Sequence, residues 1–182
     1  MLKRLMFNKK EKDLFYHEDD YLQVEIISKS NVFEQSKTLS DINYDFSEYG
    51  FSNIGFRKAK KKPTSSLNIN VNEFKEYLKK YSLIKFNKTY SGYSSNSAPK
   101  ENTISYGFED YAILFDYKKE VVQNIWIVFS PKLKMPFPSY SNLSKALYLI
   151  GNKYDMILVD WNEERMINLK SKKDIENYLN EL

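Results

Sequence analysis

An α+β fold, a single domain over residues 1–182 with a mostly antiparallel sheet and three or four helices, is predicted by three features of the chain. Segments with the two-residue period of a strand are interspersed with amphipathic stretches of helical period. The apolar segments between residues 103 and 129 are joined by connections too short for the crossover that parallel strands require, so they should form an antiparallel meander. Composition, with 42% hydrophobic residues and 15 Tyr, 12 Phe and 2 Trp, supplies apolar mass for one core and shows no break that would mark a linker.

Residues 1–20 are expected to form a loosely ordered lead into the domain. Tyr21–Ser28 alternates Leu22, Val24 and Ile26 with Gln23 and Glu25, the pattern of a half-buried strand. Residues 39–49 read as helix or loop. Ser52–Arg57 and Leu67–Ile69 read as short strands of a hairpin across the basic loop between them. Asn70, with Glu73 three residues on, caps a helix over Val71–Tyr81 whose stripe is Val71, Phe74, Leu78 and Tyr81. A strand over Leu83–Tyr90 is followed by Ser91–Pro99, small polar residues that read as a mobile loop.

Thr103–Tyr106, Tyr111–Tyr117 and Val121–Phe129 are the strands of the meander, with Lys118-Lys119-Glu120 as the last turn. Apolar residues alternate onto both sides around Trp126, which predicts a central strand covered on two faces. Pro131, Pro136 and Pro138 end it. Ser139 or Ser141 then opens a helix with Leu143, Ala146, Leu147 and Ile150 on one face, and Gly151 should close it. Met156–Asp160 and Met166–Leu169 form a hairpin through Trp161–Arg165. Ser171 and Asp174 have capping-box spacing for a final helix with Ile175, Tyr178, Leu179 and Leu182 buried. Residues 68–78 and 168–179 look alike, but the likeness is one any pair of capped helices shares.

Composition and motifs exclude many chemistries. The absence of Cys removes disulfides, thiolate metal sites and Cys nucleophiles. His17 is the only histidine, so no metal or catalytic arrangement with two imidazoles is available. His17-Glu18-Asp19-Asp20 offers oxygen ligands for a hard cation, yet consecutive residues of an extended chain point to opposite sides, and a solvated charged approach to the next strand is the preferred reading. Gly50–Arg57 has the glycine spacing of a phosphate-binding loop but carries Phe56 and Arg57 where that loop needs Lys and Ser or Thr. Tyr106–Tyr111 resembles an RNA-stacking strand, with Glu109 and Asp110 opposing phosphate; ordinary packing in the sheet is preferred. Asp160 with Glu163 or Glu164 is the neatest carboxylate pair, better read as a hairpin turn with Asp160 bonded to its backbone. No catalytic residue, metal or cofactor is expected, and no enzyme.

Charge is local. Lys and Arg number 28 against 24 Asp and Glu, a net charge of +4, while Arg57, Lys58, Lys60, Lys61 and Lys62 alone contribute five positive charges. They could hold phosphate backbones in a nucleic-acid-associated protein, although a solvated connector is the preferred reading. The apolar runs fall short of a membrane span, and the first ten residues lack the apolar stretch of a signal peptide. A soluble, cytoplasmic protein without membrane association is expected.

Gly151–Asn162, continuing to Ile175–Leu179 and taken with Tyr106–Tyr117, resembles the immunity proteins of contact-dependent growth inhibition and related bacterial polymorphic-toxin systems. The resemblance implies a small α+β protein that binds a cognate toxin and covers its active site or blocks its assembly. It carries over no functional residue, and the positive net charge departs from the acidic surface usual in inhibitors of cationic nucleases. From the residues themselves, Tyr90 and Tyr93 beside the polar loop, and Trp161, Glu163 and Glu164 at the hairpin, are the candidate partner contacts, because aromatic side chains bury large areas at low entropic cost. Core packing is the competing role for Trp161.

Overall fold

The computed structural model describes residues 13–40, 46–47, 50–51, 57–92, 97–108, 110–129 and 140–182. Expectations for residues 1–12, 41–45, 48–49, 52–56 and 93–96, for Glu109, and for Pro131, Pro136, Pro138 and Ser139 lie outside the described residues. The elements are β1 (Leu14–Tyr16), β2 (Val24–Ser28), α1 (Val32–Ser40), β3 (Phe46–Ser47), β4 (Gly50–Phe51), α2 (Val71–Lys80), β5 (Ile84–Lys85), β6 (Thr89–Ser91), β7 (Ala98–Pro99), β8 (Thr103–Gly107), β9 (Tyr111–Lys118), β10 (Val121–Phe129), α3 (Ser141–Tyr154), β11 (Met156–Asp160), β12 (Arg165–Ile167) and α4 (Lys172–Asn180).

A seven-stranded antiparallel sheet in the order β12-β11-β2-β10-β9-β8-β5 organises an α+β fold. The meander β8-β9-β10 is the one expected from the short connections. Its last turn places Lys119 and Glu120 at φ 50° and 62°, the left-handed pair that matches the twist of a two-residue hairpin. On one face Ile26, Ile113, Phe115, Ile125, Ile127 and Leu158 pack with Phe74 and Leu78 of α2, Leu143 and Leu147 of α3, and Ile175 and Leu179 of α4. On the other face Leu114, Trp126 and Val128 lie under Tyr16, with Leu14, Leu22 and Phe86 beside them. Ile27, Ile157, Val159 and Trp161 continue that face toward Leu39 of α1. Trp126 thus occupies a strand covered twice, as its flanking pattern requires.

Both covers also correct the reading of residues 21–28. The strand begins at Val24, since Leu22 adopts a left-handed φ of 59°, and every residue from Val24 to Ser28 is buried, Glu25 included. Residues 13–20 hold β1 and a 3-10 turn at Glu18–Asp20. The expected strand over 83–90 is two strands in different sheets. β5 pairs with β8, whereas β6 joins β1 in parallel and β7 antiparallel in a separate three-stranded sheet. The ends of the expected mobile loop at 91–99 are accordingly strand. Leu67 ends a 3-10 turn, and the Ile69 carbonyl accepts from Val122 N–H of β10, while the other expected arm at 52–56 lies outside the described residues.

Helix caps follow the sequence. Asn70 Oδ1 accepts from the N–H groups of Asn72 and Glu73 at 2.9 and 3.2 Å, and Ser171 Oγ accepts from Asp174 N–H at 3.2 Å. Gly151, however, does not close α3, which runs on to Tyr154 and ends at Asp155 in the left-handed conformation (φ 53°). The glycine instead allows close approach: a Cβ there would lie 2.4 Å from Leu169 Cβ and 2.5 Å from its carbonyl carbon. The final buried stripe stops at Leu179, because α4 ends at Asn180 and leaves Leu182 half exposed.

Candidate functional site

The β11–β12 hairpin orders itself through Asp160. Its Oδ1 accepts from the N–H groups of Asn162 and Glu163 at 3.0 and 3.1 Å, and its Oδ2 accepts from the Tyr178 hydroxyl at 2.6 Å. Burial, followed by that hydrogen bond, pushes the Tyr178 hydroxyl far above the usual phenol range. This carboxylate is bound up in turn and core, while Glu163 and Glu164 stand exposed at the tip, so the three form no convergent acid–base group.

Trp161 is corrected from the list of partner contacts: it is buried, on the face covered by α1. Its indole N–H donates to Glu25 Oε1 at 3.1 Å, and Glu25 Oε2 lies 2.5 Å from Lys60 Nζ. Arg57 places its guanidinium over the Trp161 ring, 4.6 Å from the centroid, and donates to the Leu22 carbonyl and to Gln23 Oε1 at 2.8 and 2.7 Å.

The basic segment is an exposed connector, as expected, but its side chains at Arg57 and Lys60 tie it to the fold. Its backbone is anchored as well. Gln35 Nε2 donates to the Lys58 carbonyl, and Asn31 both donates to the Lys62 carbonyl and accepts its N–H. Arg57 and Lys60 are held by the contacts just given, and Lys58, Lys61 and Lys62 are exposed. Sequence reasoning missed Glu25, because an acidic residue in an alternating strand reads as solvent-facing. Only the apolar pattern of its neighbour Trp126, opposite it in register, hinted at a covered position.

The small sheet carries the other feature. Leu14 and Tyr16 turn toward Trp126 and Leu114, so Phe15 turns outward and is 63% exposed. Its ring stacks on Tyr90, centroids 4.7 Å apart and planes within 8°. Register places Pro99 next in the same row. Tyr90, one of the expected contacts, is half-buried by this stacking, and Tyr93 lies outside the described residues. Phe15 carried no signal, standing in a segment expected to be loosely ordered.

Asp116 forms a third polar cluster. It accepts from the Tyr21 hydroxyl at 2.9 Å and from Thr103 Oγ1 at 2.6 Å. Burial and Asp116 together raise the Tyr21 hydroxyl well above its usual range. Tyr106 and Tyr111 are buried, so the aromatic strand around them is core and not a base-stacking surface. His17 caps the turn at Glu18–Asp20, its Nδ1 accepting from Asp19 N–H at 3.4 Å. Among the described residues no group of three or more His, Asp or Glu is gathered as a metal site requires, and no helix is long and apolar enough to cross a membrane. No protein-family model matches the chain, nor does any curated protein or solved structure.

Proposed function

We propose that this chain is a binding protein without catalytic activity: an immunity protein that neutralises a cognate bacterial toxin in the cytoplasm by covering its active site or blocking its assembly. The exposed Phe15–Tyr90 stack carries the reading. An aromatic pair held rigid on a sheet and turned to water has no folding role that requires its exposure, and it has the form of a binding anchor. Two buried carboxylates support the same reading from the other side. Asp160 and Glu25 are each saturated by structural partners, an arrangement suited to rigidity rather than proton transfer. Co-expression with the toxic C-terminal domain encoded by a neighbouring gene tests the proposal. Growth should be rescued by the wild-type chain, and less so by Phe15→Ala with Tyr90→Ala. Failure to bind or rescue, or turnover of a substrate by the purified chain, would overturn it.

A further inference from the structure

Phe15, the outer ring of the stacked pair, lies within an acidic stretch of a chain that is basic overall. Residues 13–20, Asp-Leu-Phe-Tyr-His-Glu-Asp-Asp, hold four carboxylates and no Lys or Arg, against a net charge of +4 for the whole. Asp13 directly precedes β1, and Glu18, Asp19 and Asp20 form the exposed turn that follows it. Asp19 Oδ2 is 3.3 Å from His17 Nδ1. Lys88 extends the register beside Asp13, and Lys100 N–H bonds Thr89 at the same end of the sheet. These two cations leave the local balance negative.

β1 is also an edge. Its parallel ladder to β6 uses Leu14, whose N–H donates to the Lys88 carbonyl, and Tyr16, whose carbonyl accepts from Gly92 N–H. That pattern turns the N–H and C=O of Phe15 the other way, toward a side on which no described strand pairs. The Phe15 ring is the end of the stack on that same side, because Tyr90 covers its opposite face. An edge of this kind presents backbone groups, an open ring face and flanking carboxylates together.

We propose that this edge is the docking surface for an extended, arginine-bearing segment of a partner protein. A guanidinium is planar, stacks on an aromatic face and pairs with carboxylates at once, and an extended backbone supplies the groups that Phe15 lacks. Nucleic acid is disfavoured, because stacking on Phe15 would bring phosphates to a stretch, residues 13–20, that holds four carboxylates and no Lys or Arg. The assignment rests on the reading of the chain as a binding protein and names the chemistry of its partner.

The test uses the full chain, labelled with 15N and titrated with short peptides in which Arg, Lys or Glu alternates with Val. The Arg peptide should shift the amides of residues 13–20 and 89–92, and binding should weaken severalfold at about 0.5 M salt, where exposed charges are screened. The Lys peptide should bind more weakly and the Glu peptide not at all. Phe15→Ala, a change at an exposed position, should abolish the response while leaving the remaining spectrum in place. Asp13→Asn with Glu18→Gln and Asp20→Asn should weaken it about tenfold. Equal binding of Arg and Glu peptides, shifts confined to other surfaces, or concentration-dependent shifts of the same amides without peptide, which would make a second copy the occupant, would each overturn the assignment. Toxin rescue that survives Phe15→Ala sinks this assignment alone. Absence of rescue alongside a normal Arg-peptide response sinks the toxin reading alone.

Discussion

Glu25 and Lys60 form an ion pair of 2.5 Å in which the carboxylate is the buried member: its side chain is 2% exposed, that of Lys60 22%. The asymmetry decides what each truncation does. Lys60→Met strands an ionised carboxylate between two apolar clusters, with the Trp161 indole as its remaining partner, and should cost about 3 kcal/mol or more. Glu25→Gln keeps an acceptor for Trp161 and leaves an ammonium that can turn to water, so about 1–2 kcal/mol is expected. Urea unfolding should show both as lower midpoints with an unchanged slope. A Lys60→Met variant no less stable than Glu25→Gln would contradict the asymmetry.

The same pair marks what could be read from the residues and what could not. Apolar runs joined by short turns located β8, β9 and β10, because β9 and β10 bury apolar side chains on both faces. Asn70 and Ser171 were legible because a cap is a local bond, made between residues two or three apart. By contrast α1 buries Gln35 and Thr38 and exposes Phe33, an inverted pattern that makes sense only with Gln35 bonded to the Lys58 carbonyl. Glu25 is hidden for the same reason, since its partners are 35 and 136 residues away. The division of residues 83–90 between two sheets is likewise a matter of tertiary pairing, which period-two alternation does not encode. Tyr90 stood out by its position beside a polar loop, but its stacking partner Phe15 did not.

Gly151→Ala tests the close approach of α3 to the chain at Leu169. In an isolated helix this change is favourable by about 0.8–1 kcal/mol. Here the new methyl would meet Leu169 Cβ at 2.4 Å and its carbonyl carbon and oxygen at 2.5 Å. Backbone cannot move aside as a flexible side-chain end can, so a net loss of about 1–3 kcal/mol is expected. Thermal unfolding gives the sign directly, and a stabilised variant would show that α3 and the 168–170 segment can separate.

Asp155 and Lys170 link the end of α3 to the segment before α4, with Nζ 2.7 Å from Oδ1. The Lys170 hydrogen bond holds the Asp155 carboxyl below its usual 3.8. A lowered folded value means that this contribution is present above about pH 4 and disappears as pH falls through the folded value. Both side chains are substantially exposed, so the contribution is small, under about 1 kcal/mol. Asp155→Asn keeps a residue tolerant of the left-handed cap. It should lower stability slightly at neutral pH, with the difference from wild type closing in acid and shrinking in high salt. A difference that stays constant across the acid range would remove the ion pair as its cause.

Alkaline pH should unfold the chain through its tyrosines. Burial is the leading cause that raises the hydroxyls of Tyr16, Tyr21, Tyr106, Tyr111, Tyr140, Tyr154 and Tyr178 above their ordinary 10.0, Tyr154 to about 12. Each favours the protonated form in the folded state. Its contribution is therefore intact below pH 10 and lost as pH rises from there through the folded values, because the unfolded chain releases those protons first. Phenolate absorbance at pH 10–11 should fall short of the 15 tyrosines in the chain, and the missing amplitude should appear in the same step as the loss of near-ultraviolet circular dichroism. Tyr154→Phe removes one of these protons and should shallow the alkaline limb of the stability profile while leaving the acid limb alone. Full phenolate amplitude reached with the near-ultraviolet signal intact would show that these hydroxyls ionise without opening the core.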